Sequence, residues 1–242
     1  DEKILIALKP DGGLDTLMSL GLMMHNDKLS RGLIGLNVVY DDANSHKNQN
    51  VGKRTLEQAT RIASAADVRM LTQSRLATNI SNGIIHAFKE YDASEIIMGL
   101  HNKRSETDKF WGLFTPNLVN SLNRQIILCR CNRPLNTLRR IVVAIPSRVE
   151  FEQGFYRWIE RLARLAENLG CRIVFHGRIE STALINEYIR NQHPGVRAEY
   201  VLMEHWKEFP QLAEDLSDDH MLVVITARQG TVSYKPIFER LP

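Results

Sequence analysis

The sequence predicts an α/β protein made of two tandem, doubly wound parallel sheets. Short apolar runs alternate with segments in which apolar residues recur at helical spacing. The apolar runs are nearly continuous, which is typical of parallel strands buried on both faces. The pattern restarts after residue 138, where "RRIVVAIP" at 139–146 repeats "KILIALKP" at 3–10. With 242 residues, of which 43% are hydrophobic and 24% charged, the chain is long enough to bury a core in each copy.

The first copy, predicted over 1–133, reads as five strands and four helices in alternation. The strands are predicted at 3–8, 32–40, 68–77, 94–100 and 125–131, and the helices at 14–25, 47–66, 82–91 and 115–122. Asn79 or Ser81 is expected to cap the third helix, because such side chains accept hydrogen bonds from orphan amides of the first turn. Pro116 stands in the first turn of the fourth helix, where its missing N–H costs nothing.

The second copy, predicted over 139–242, follows a linker at 132–138 in which Pro134 interrupts regular structure. Its strands are predicted at 139–146, 171–177, 198–205 and 220–227, and a long helix at 151–169. After residue 228 too little chain remains for a closing helix and strand. We therefore expect the second copy to be truncated or to lack its last strand, which would leave an open sheet edge.

The predicted helix 151–169 has two distinct faces. Its apolar stripe is expected to pack in the core and consists of Phe151, Phe155, Trp158, Ile159, Leu162, Ala166 and Leu169. Its charged residues are expected to form a solvated face and are Arg157, Glu160, Arg161, Arg164 and Glu167.

Composition excludes several classes of function. The net charge is only +3, from 31 basic and 28 acidic residues, so no nucleic-acid partner is expected. Three cysteines, an odd number, argue against a disulfide framework and for a reducing compartment, and we interpret them as buried structural thiols. The eight histidines are scattered without metal-ligand spacing, so no metal site is expected. No apolar run approaches the roughly 20 residues that span a bilayer.

The segment 99–115 is the most informative candidate site, because ligands of open α/β sheets bind beyond the carboxyl ends of the strands. Gly99 directly follows a buried apolar run, where the missing Cβ lets a phosphate approach the backbone. Gly112 precedes a helix start at Thr115, whose hydroxyl and neighbouring amides are suitable anion donors. The alternative is a solvated surface connection, since its basic residues are offset by acidic ones. These charged residues are Lys103, Arg104, Glu106, Asp108 and Lys109.

The tandem plan and this segment resemble the universal stress protein family. Nucleotide-binding members of that family carry G-x2-G-x9-G-[ST] after the fourth strand, and here Gly99, Asn102 and Gly112 keep that spacing. Asn102 replaces a glycine and Leu113 replaces the Ser or Thr, while Thr115 fits the position of a further hydroxyl. Asn can adopt left-handed backbone geometry, so the loop shape can survive the first change.

The resemblance implies further positions in the first copy and an altered second copy. The Asp that the family carries after the first strand corresponds to Lys9, and Asp11 stands two residues later. The residues that contact adenine in the family correspond to Val38 and Val39. From the residues themselves, Asp41 lies near the crevice, where it would hold a ribose hydroxyl or Mg²⁺ or cap a turn. In the second copy the three glycine positions fall at Thr226, Gln229 and Glu239, so we expect that copy to be a structural or pairing partner.

The resemblance extends to paired domains at the cytoplasmic end of bacterial monovalent cation/proton antiporters. It implies a regulatory module that binds ATP, AMP or cyclic di-AMP, with or without Mg²⁺, at the cytoplasmic face of the plasma membrane. Its partner would be the transmembrane domain of the same parent chain, and a homodimer is allowed. The chain begins at Asp1 without Met, which suggests a piece cut from a longer protein.

Two alternatives remain beside the antiporter tail. One is a free-standing tandem stress protein in the cytosol. The other is an enzyme of the related nucleotide α-hydrolase or adenylyl-transfer group. Catalysis is the least expected, because the sequence pairs no general base with a nucleophile.

Overall fold

The structure is a computed structural model that describes residues 1–10, 13–100 and 116–240. Residues 239 and 240 are described by their backbone alone. Several predicted site residues lie outside these ranges: Asp11, Asn102, Gly112 and Thr115. The chain folds as two compact units, Asp1–Asn132 and Arg133–Pro242.

The first unit is built on a five-stranded parallel sheet in the order β3-β2-β1-β4-β5. Its strands are β1 (Glu2–Ala7), β2 (Ser30–Tyr40), β3 (Met70–Ala77), β4 (Glu95–Gly99) and β5 (Gln125–Cys129). Its helices are α1 (Leu14–Met24), α2 (Ser45–Ala65), α3 (Ile80–Glu90) and α4 (116–121). All strand pairs are parallel, so the predicted doubly wound α/β fold is confirmed for this unit.

Helices cover both faces of the central strand β1. Successive side chains of a strand point to opposite faces, and here both directions are filled. Leu5 is fully buried in one cluster with Phe88 of α3 and Leu118 of α4. Ile6 points the other way, and its Cδ1 approaches Gly21 of α1 so closely that an added Cβ there would lie 2.6 Å away. The apolar run of β1 is continuous because the side chains on both faces of the strand are buried against helices.

One of the two residues expected to cap the third helix, α3, does so. The side chain of Asn79 accepts a hydrogen bond from the backbone N–H of Asn82, at 3.0 Å. Ser81, the other candidate, lies inside the helix and is buried. Asn79 is thus the N-cap.

The second unit is built on a four-stranded parallel sheet in the order β8-β7-β6-β9. Its strands are β6 (Arg140–Ala144), β7 (Arg172–Gly177), β8 (Ala198–Leu202) and β9 (His220–Val224), and its helices α5 (Phe155–Leu169), α6 (Ile179–Gln192) and α7 (Phe209–Glu214). Within the described part of this unit no fifth strand joins the sheet. The second sheet thus repeats the arrangement of the first without a counterpart of β5.

The long helix of the second unit is shorter than predicted. A 3-10 turn at Val149–Phe151 precedes it, and α5 begins only at Phe155, after Gly154. Phe151 is 73% exposed and does not belong to the core stripe. Phe155, in contrast, is almost fully buried, as predicted. Among the helices of the described residues, none has both the length and the apolar character that crossing a bilayer requires.

Candidate functional site

The crevice of the first unit lies where the strand order reverses. The chain adds β2 and β3 on one side of β1 and then crosses to place β4 on the other side. Ligands of open α/β sheets bind at this reversal, beyond the carboxyl ends of the strands. The ends of β1 and β4 therefore border the candidate site.

Strand register brings three predicted site residues to this edge. Ile6 pairs with Ile97, and Ala7 pairs with Leu36. Two or three residues further on, Lys9 follows β1, Val39 lies near the end of β2 and Gly99 ends β4, on adjacent strands that are about 5 Å apart. Lys9 and Gly99 are partly exposed, whereas Val39 is 7% exposed. The remaining predicted contacts, from Asp11, Asn102, Gly112 and Thr115, lie outside the described residues, as do the charged residues between 103 and 109.

The turn that carries Lys9 is held by a buried amide that sequence analysis missed. The side chain of Asn37 in β2, 2% exposed, donates from Nδ2 to the carbonyl oxygen of Leu8 at 3.0 Å. The backbone N–H of Leu8 also donates to the carbonyl oxygen of Leu36, at 2.8 Å. Both groups of the residue before Lys9 are thus tied to β2, which fixes where the chain leaves β1.

Gly52 of α2 makes room for that amide. A Cβ at this position would lie 2.0 Å from Oδ1 of Asn37, an overlap that no real Cβ contact shows. Asn37 Oδ1 has no hydrogen-bond partner among the described residues. The glycine lets the helix approach β2 closely, and the amide stays oriented toward Leu8.

The two aspartates that follow β2, Asp41 and Asp42, make different contacts. Asp42 accepts a hydrogen bond from the backbone N–H of Asn44 at 2.8 Å, and therefore caps the turn into α2. The backbone N–H of Asp41 donates to the carbonyl oxygen of Ala77 at 3.1 Å, while its side chain is exposed. The carboxylate of Asp41 is therefore exposed just beyond the carboxyl end of β2.

The second unit has no glycine at the positions that correspond to Gly99 and Gly112. The backbone N–H after Ala7 donates to the partner of Ala7 in β2, and the N–H after Ala144 donates to the partner of Ala144 in β7, so these two alanines are equivalent. Ala144 pairs with Val224, and Ile225, not Thr226, is therefore the counterpart of Gly99. Counting from Ile225 with the spacing of the first loop reaches Phe238, not Glu239. Our sequence alignment was therefore wrong by one residue. Ile225 and Phe238 are each 9% exposed and apolar, so the counterpart of the glycine loop is replaced by packed side chains.

No disulfide joins any of the three cysteines. Cys171 is buried as expected, whereas Cys129 and Cys131 are only partly buried. Burial, with a smaller contribution from the charge of Cys131, raises the pKa of Cys129 to about 11, so its thiol stays protonated and unreactive at neutral pH. Among the described residues, no group of three or more His, Cys, Asp or Glu side chains could hold a metal ion.

The predicted solvated face of α5 is wrong for Glu160, Arg161 and Arg164, which are buried or partly buried beside a polar cluster against α6, whereas Arg157 and Glu167 are exposed. Glu160 accepts hydrogen bonds from the Tyr188 hydroxyl at 2.7 Å and from Arg164 at 2.6 Å, and lies 2.5 Å from Nε2 of His193. Nδ1 of His193 is also 3.5 Å from Glu167. His193 and the neighbouring Arg161 are both 6% exposed.

The cluster perturbs the ionisation of its members. Burial alone would raise the pKa of Glu160, but hydrogen bonds from His193, Tyr188 and Arg164 outweigh it and hold that pKa well below its ordinary value. The hydrogen bond to Glu160 raises the pKa of His193 above its ordinary value of 6.5, against the opposing effect of burial. Burial and the same carboxylate raise the pKa of Tyr188. The cluster links α5 to α6 through hydrogen bonds between charged and polar side chains.

The second unit also contains a cavity of about 160 Å³ at the carboxyl end of its sheet. Its lining residues follow β6, β7 and β8 or come from the C-terminal segment: Ile145, Ser147, Arg178, Met203, Glu204, His205, Trp206 and Lys235. Sequence analysis singled out none of them. The available signal was that Arg178 and His205 lie just beyond the carboxyl ends of β7 and β8, as Lys9 lies just beyond the end of β1 in the first unit.

Comparison with known proteins identifies the fold. No protein-family model matches the chain, and no curated protein sequence matches it. A putative universal stress protein from Pseudomonas aeruginosa UCBPP-PA14 aligns with 96% of this chain and 85% of its own, at 16% identity and a TM-score of 0.56. A universal stress protein from Archaeoglobus fulgidus DSM 4304 aligns with 88% of this chain and 80% of its own, at 14% identity and a TM-score of 0.55. The expected similarity to universal stress proteins is therefore confirmed at the level of the fold.

Proposed function

We propose that this chain is a regulatory module that binds an adenine nucleotide in the crevice of its first unit. The observation that carries the proposal is the arrival of Lys9, Val39 and Gly99 at one edge of the sheet, where the strand order reverses. Each residue offers what one part of a nucleotide needs, and the edge is the place where α/β sheets bind such ligands.

The ammonium group of Lys9 supplies positive charge for a phosphate, where the family pattern has an acidic residue. Gly99 leaves the backbone open to close approach by the same phosphate. Val39 provides a buried apolar wall for the base, and the exposed carboxylate of Asp41 accepts from a ribose hydroxyl. Mg²⁺, where present, would be held mainly by the phosphate oxygens, because it retains its waters and binds few protein ligands.

We further propose that the module is the cytoplasmic tail of a bacterial monovalent cation/proton antiporter, in the same chain as the transmembrane domain. A binding module can bias transport only if the two transporter states differ in their affinity for the nucleotide. A free-standing tandem stress protein in the cytosol is the second candidate. The proposal in both cases is binding without catalysis, whether the module acts as a monomer or as a homodimer.

Calorimetric titration with ATP, AMP and cyclic di-AMP tests the binding. We expect one site per chain for at least one of the three ligands, and loss of binding in Gly99→Arg, whose side chain would fill the phosphate position. Gly154→Arg is the matched control, because it adds the same side chain in the second unit, where a Cβ would meet nothing within 4 Å. A stoichiometry of two, or no heat and no thermal shift with any of the three nucleotides, would contradict the proposal.

The parent gene tests the antiporter assignment separately. About ten hydrophobic spans, each long enough to cross a bilayer, are expected upstream of Asp1. An initiator Met directly upstream, with no such spans, would favour the free-standing protein. Loss of the antiporter assignment would leave the nucleotide titration unaffected.

A further inference from the structure

Contacts with neighbouring residues hold part of the cavity lining of the second unit in place. The ring of Trp206 stacks on Phe209, with centroids 5.4 Å apart and an interplanar angle of 2°, and meets Phe238 edge-on at 5.4 Å. Ser233 is fully buried, and its backbone N–H donates to Oε1 of Glu152 at 3.0 Å. These contacts anchor the C-terminal segment that brings Lys235 to the cavity.

Two residues of the cavity lining carry donors without partners in the described part of the chain. Nε1 of Trp206 and Nε of Arg178 are both shielded from solvent and have no hydrogen-bond partner among the described residues. A buried donor left unsatisfied costs free energy, which a bound acceptor would recover. Two such donors in the lining of one cavity indicate a ligand that accepts hydrogen bonds.

Lys235 and His205 add two further donors. Nζ of Lys235 donates to Oγ of Ser147 at 2.8 Å, which uses one of its three hydrogens. A ring nitrogen of His205 accepts from the backbone N–H of Glu208. In the neutral imidazole the other ring nitrogen then carries the proton and donates.

The charged residues that line the cavity favour an anionic ligand. Two cationic side chains line the cavity, Arg178 and Lys235, against one carboxylate, Glu204. Glu204 lies 3.8 Å from Nε of Arg178, too far for a hydrogen bond, and both side chains are about half exposed. Helix α6 also begins directly after Arg178, so its N-terminal dipole favours negative charge there. One negative charge on a ligand balances the charges of Arg178, Lys235 and Glu204.

Size limits the ligand further. A cavity of about 160 Å³ is comparable to an engineered apolar cavity of about 150 Å³ that holds benzene. It is well below the roughly 300–1,000 Å³ of sites for larger ligands. Ile145 and Met203 are buried and supply an apolar part of the wall. The space thus suits a body of about one six-membered ring.

We propose that this cavity binds a small organic monoanion, a carboxylate on an apolar body about the size of a benzene ring. The carboxylate accepts hydrogen bonds from Arg178, Lys235 and the Trp206 indole, and the apolar body lies against Ile145 and Met203. This site belongs to the second unit and is independent of nucleotide binding in the first.

Nuclear magnetic resonance of the full chain with benzoate tests the proposal. The chain has three tryptophans, and the indole N–H signal of Trp206 is assigned by its disappearance in Trp206→Phe. We expect benzoate to move this signal downfield as Nε1–H gains an acceptor, with saturation at one site per chain. The indole signal of Trp158 serves as an internal control, because Trp158 does not line the cavity.

Variants identify the groups that bind the carboxylate. Lys235→Gln is expected to weaken benzoate binding about tenfold or more, because it removes a charge-assisted hydrogen bond. Trp206→Phe keeps an aromatic six-membered ring and removes the five-membered ring of the indole with its N–H, so we expect a weakening of about three- to tenfold. Lys207→Gln removes an exposed positive charge next to the cavity lining and should leave the affinity unchanged. Arg178→Gln should behave like Lys235→Gln, and either of the two decides the point if the other fails to fold.

Competing ligands separate the alternatives. Inorganic phosphate and sulfate should compete only weakly, because they lack the apolar body. The proposal is overturned if benzoate leaves the Trp206 signal unmoved at millimolar concentration, or if Lys207→Gln weakens binding as much as Lys235→Gln does. It is equally overturned if AMP displaces benzoate at lower concentration than benzoate itself needs, since the site would then take nucleotides.

Discussion

Single residues determine how the first unit presents its crevice, and the contact between Gly52 and Asn37 is the clearest case. We expect Gly52→Ala to destabilise the protein by about 1–3 kcal/mol, because the added methyl group overlaps the buried amide and forces α2 or Asn37 to move. This result would be unusual for a helix interior, where Ala is otherwise preferred over Gly by about 1 kcal/mol. Urea denaturation of the full chain measures the change in free energy of unfolding.

The double variant provides the control for this prediction. In an Asn37→Ala background the overlap is gone, so Gly52→Ala should become neutral or stabilising through its helix propensity. Asn37→Ala alone is expected to be destabilising, because the Leu8 carbonyl loses its donor. If Gly52→Ala has the same cost in both backgrounds, the contact with the amide does not explain the glycine.

At the scale of elements, the polar cluster that links α5 to α6 makes the stability of the second unit depend on pH. The pKa of His193 is raised in the folded state, so its contribution is complete below the unfolded value of 6.5 and is lost as the pH rises through the folded pKa. The pKa of Glu160 is lowered, so its contribution is complete above its ordinary value of 4.5 and is lost as the pH falls further. Stability of the second unit should therefore be greatest between these two limits.

Denaturation curves at several pH values measure this dependence. From about pH 6.5 upward, the free energy of unfolding should fall until the folded pKa of His193 is passed. His193→Gln should remove this slope, whereas His86→Gln, at an exposed position of α3, should leave it intact. An unchanged slope in His193→Gln would assign the effect to another group.

Most elements were predictable because their patterns are local. Apart from β3 and β8, the strands of both units are nearly continuous apolar runs. All of the strands were located to within about three residues, the usual uncertainty of element boundaries. Helix α6 was not singled out, because its buried face includes small polar residues, Ser181 and Thr182, beside Ile185 and Ile189. Such a face lacks the apolar periodicity that indicates a helix in contact with a core.

The site residues that sequence analysis missed depend on contacts between distant segments. The arginines and glutamates of α5 have the same spacing whether that face is solvated or packed. Only Tyr188 of α6 and His193, which directly follows α6, decide between the two. Asn37 and Gly52 are likewise ordinary in their own segments and become informative only as a pair. The cavity lining joins four such segments, so no single motif describes it.

At the scale of the whole molecule, two separate cores allow two separate ligand responses. Each unit has its own sheet and its own candidate site at the carboxyl ends of its strands. A ligand that binds only the folded form stabilises the unit that holds it, and its amides then exchange more slowly. We expect a bound adenine nucleotide to slow hydrogen exchange within 1–132 and benzoate to slow it within 133–242.

Hydrogen exchange read by mass spectrometry resolves these responses peptide by peptide. Gly99→Arg should abolish protection by the nucleotide while leaving protection by benzoate intact, and Lys235→Gln should do the reverse. The crossed design matters because a general loss of folding would abolish both responses together. Protection of both units by one ligand would show that the two sites are coupled, and the proposal of independent binding in each unit would then be wrong.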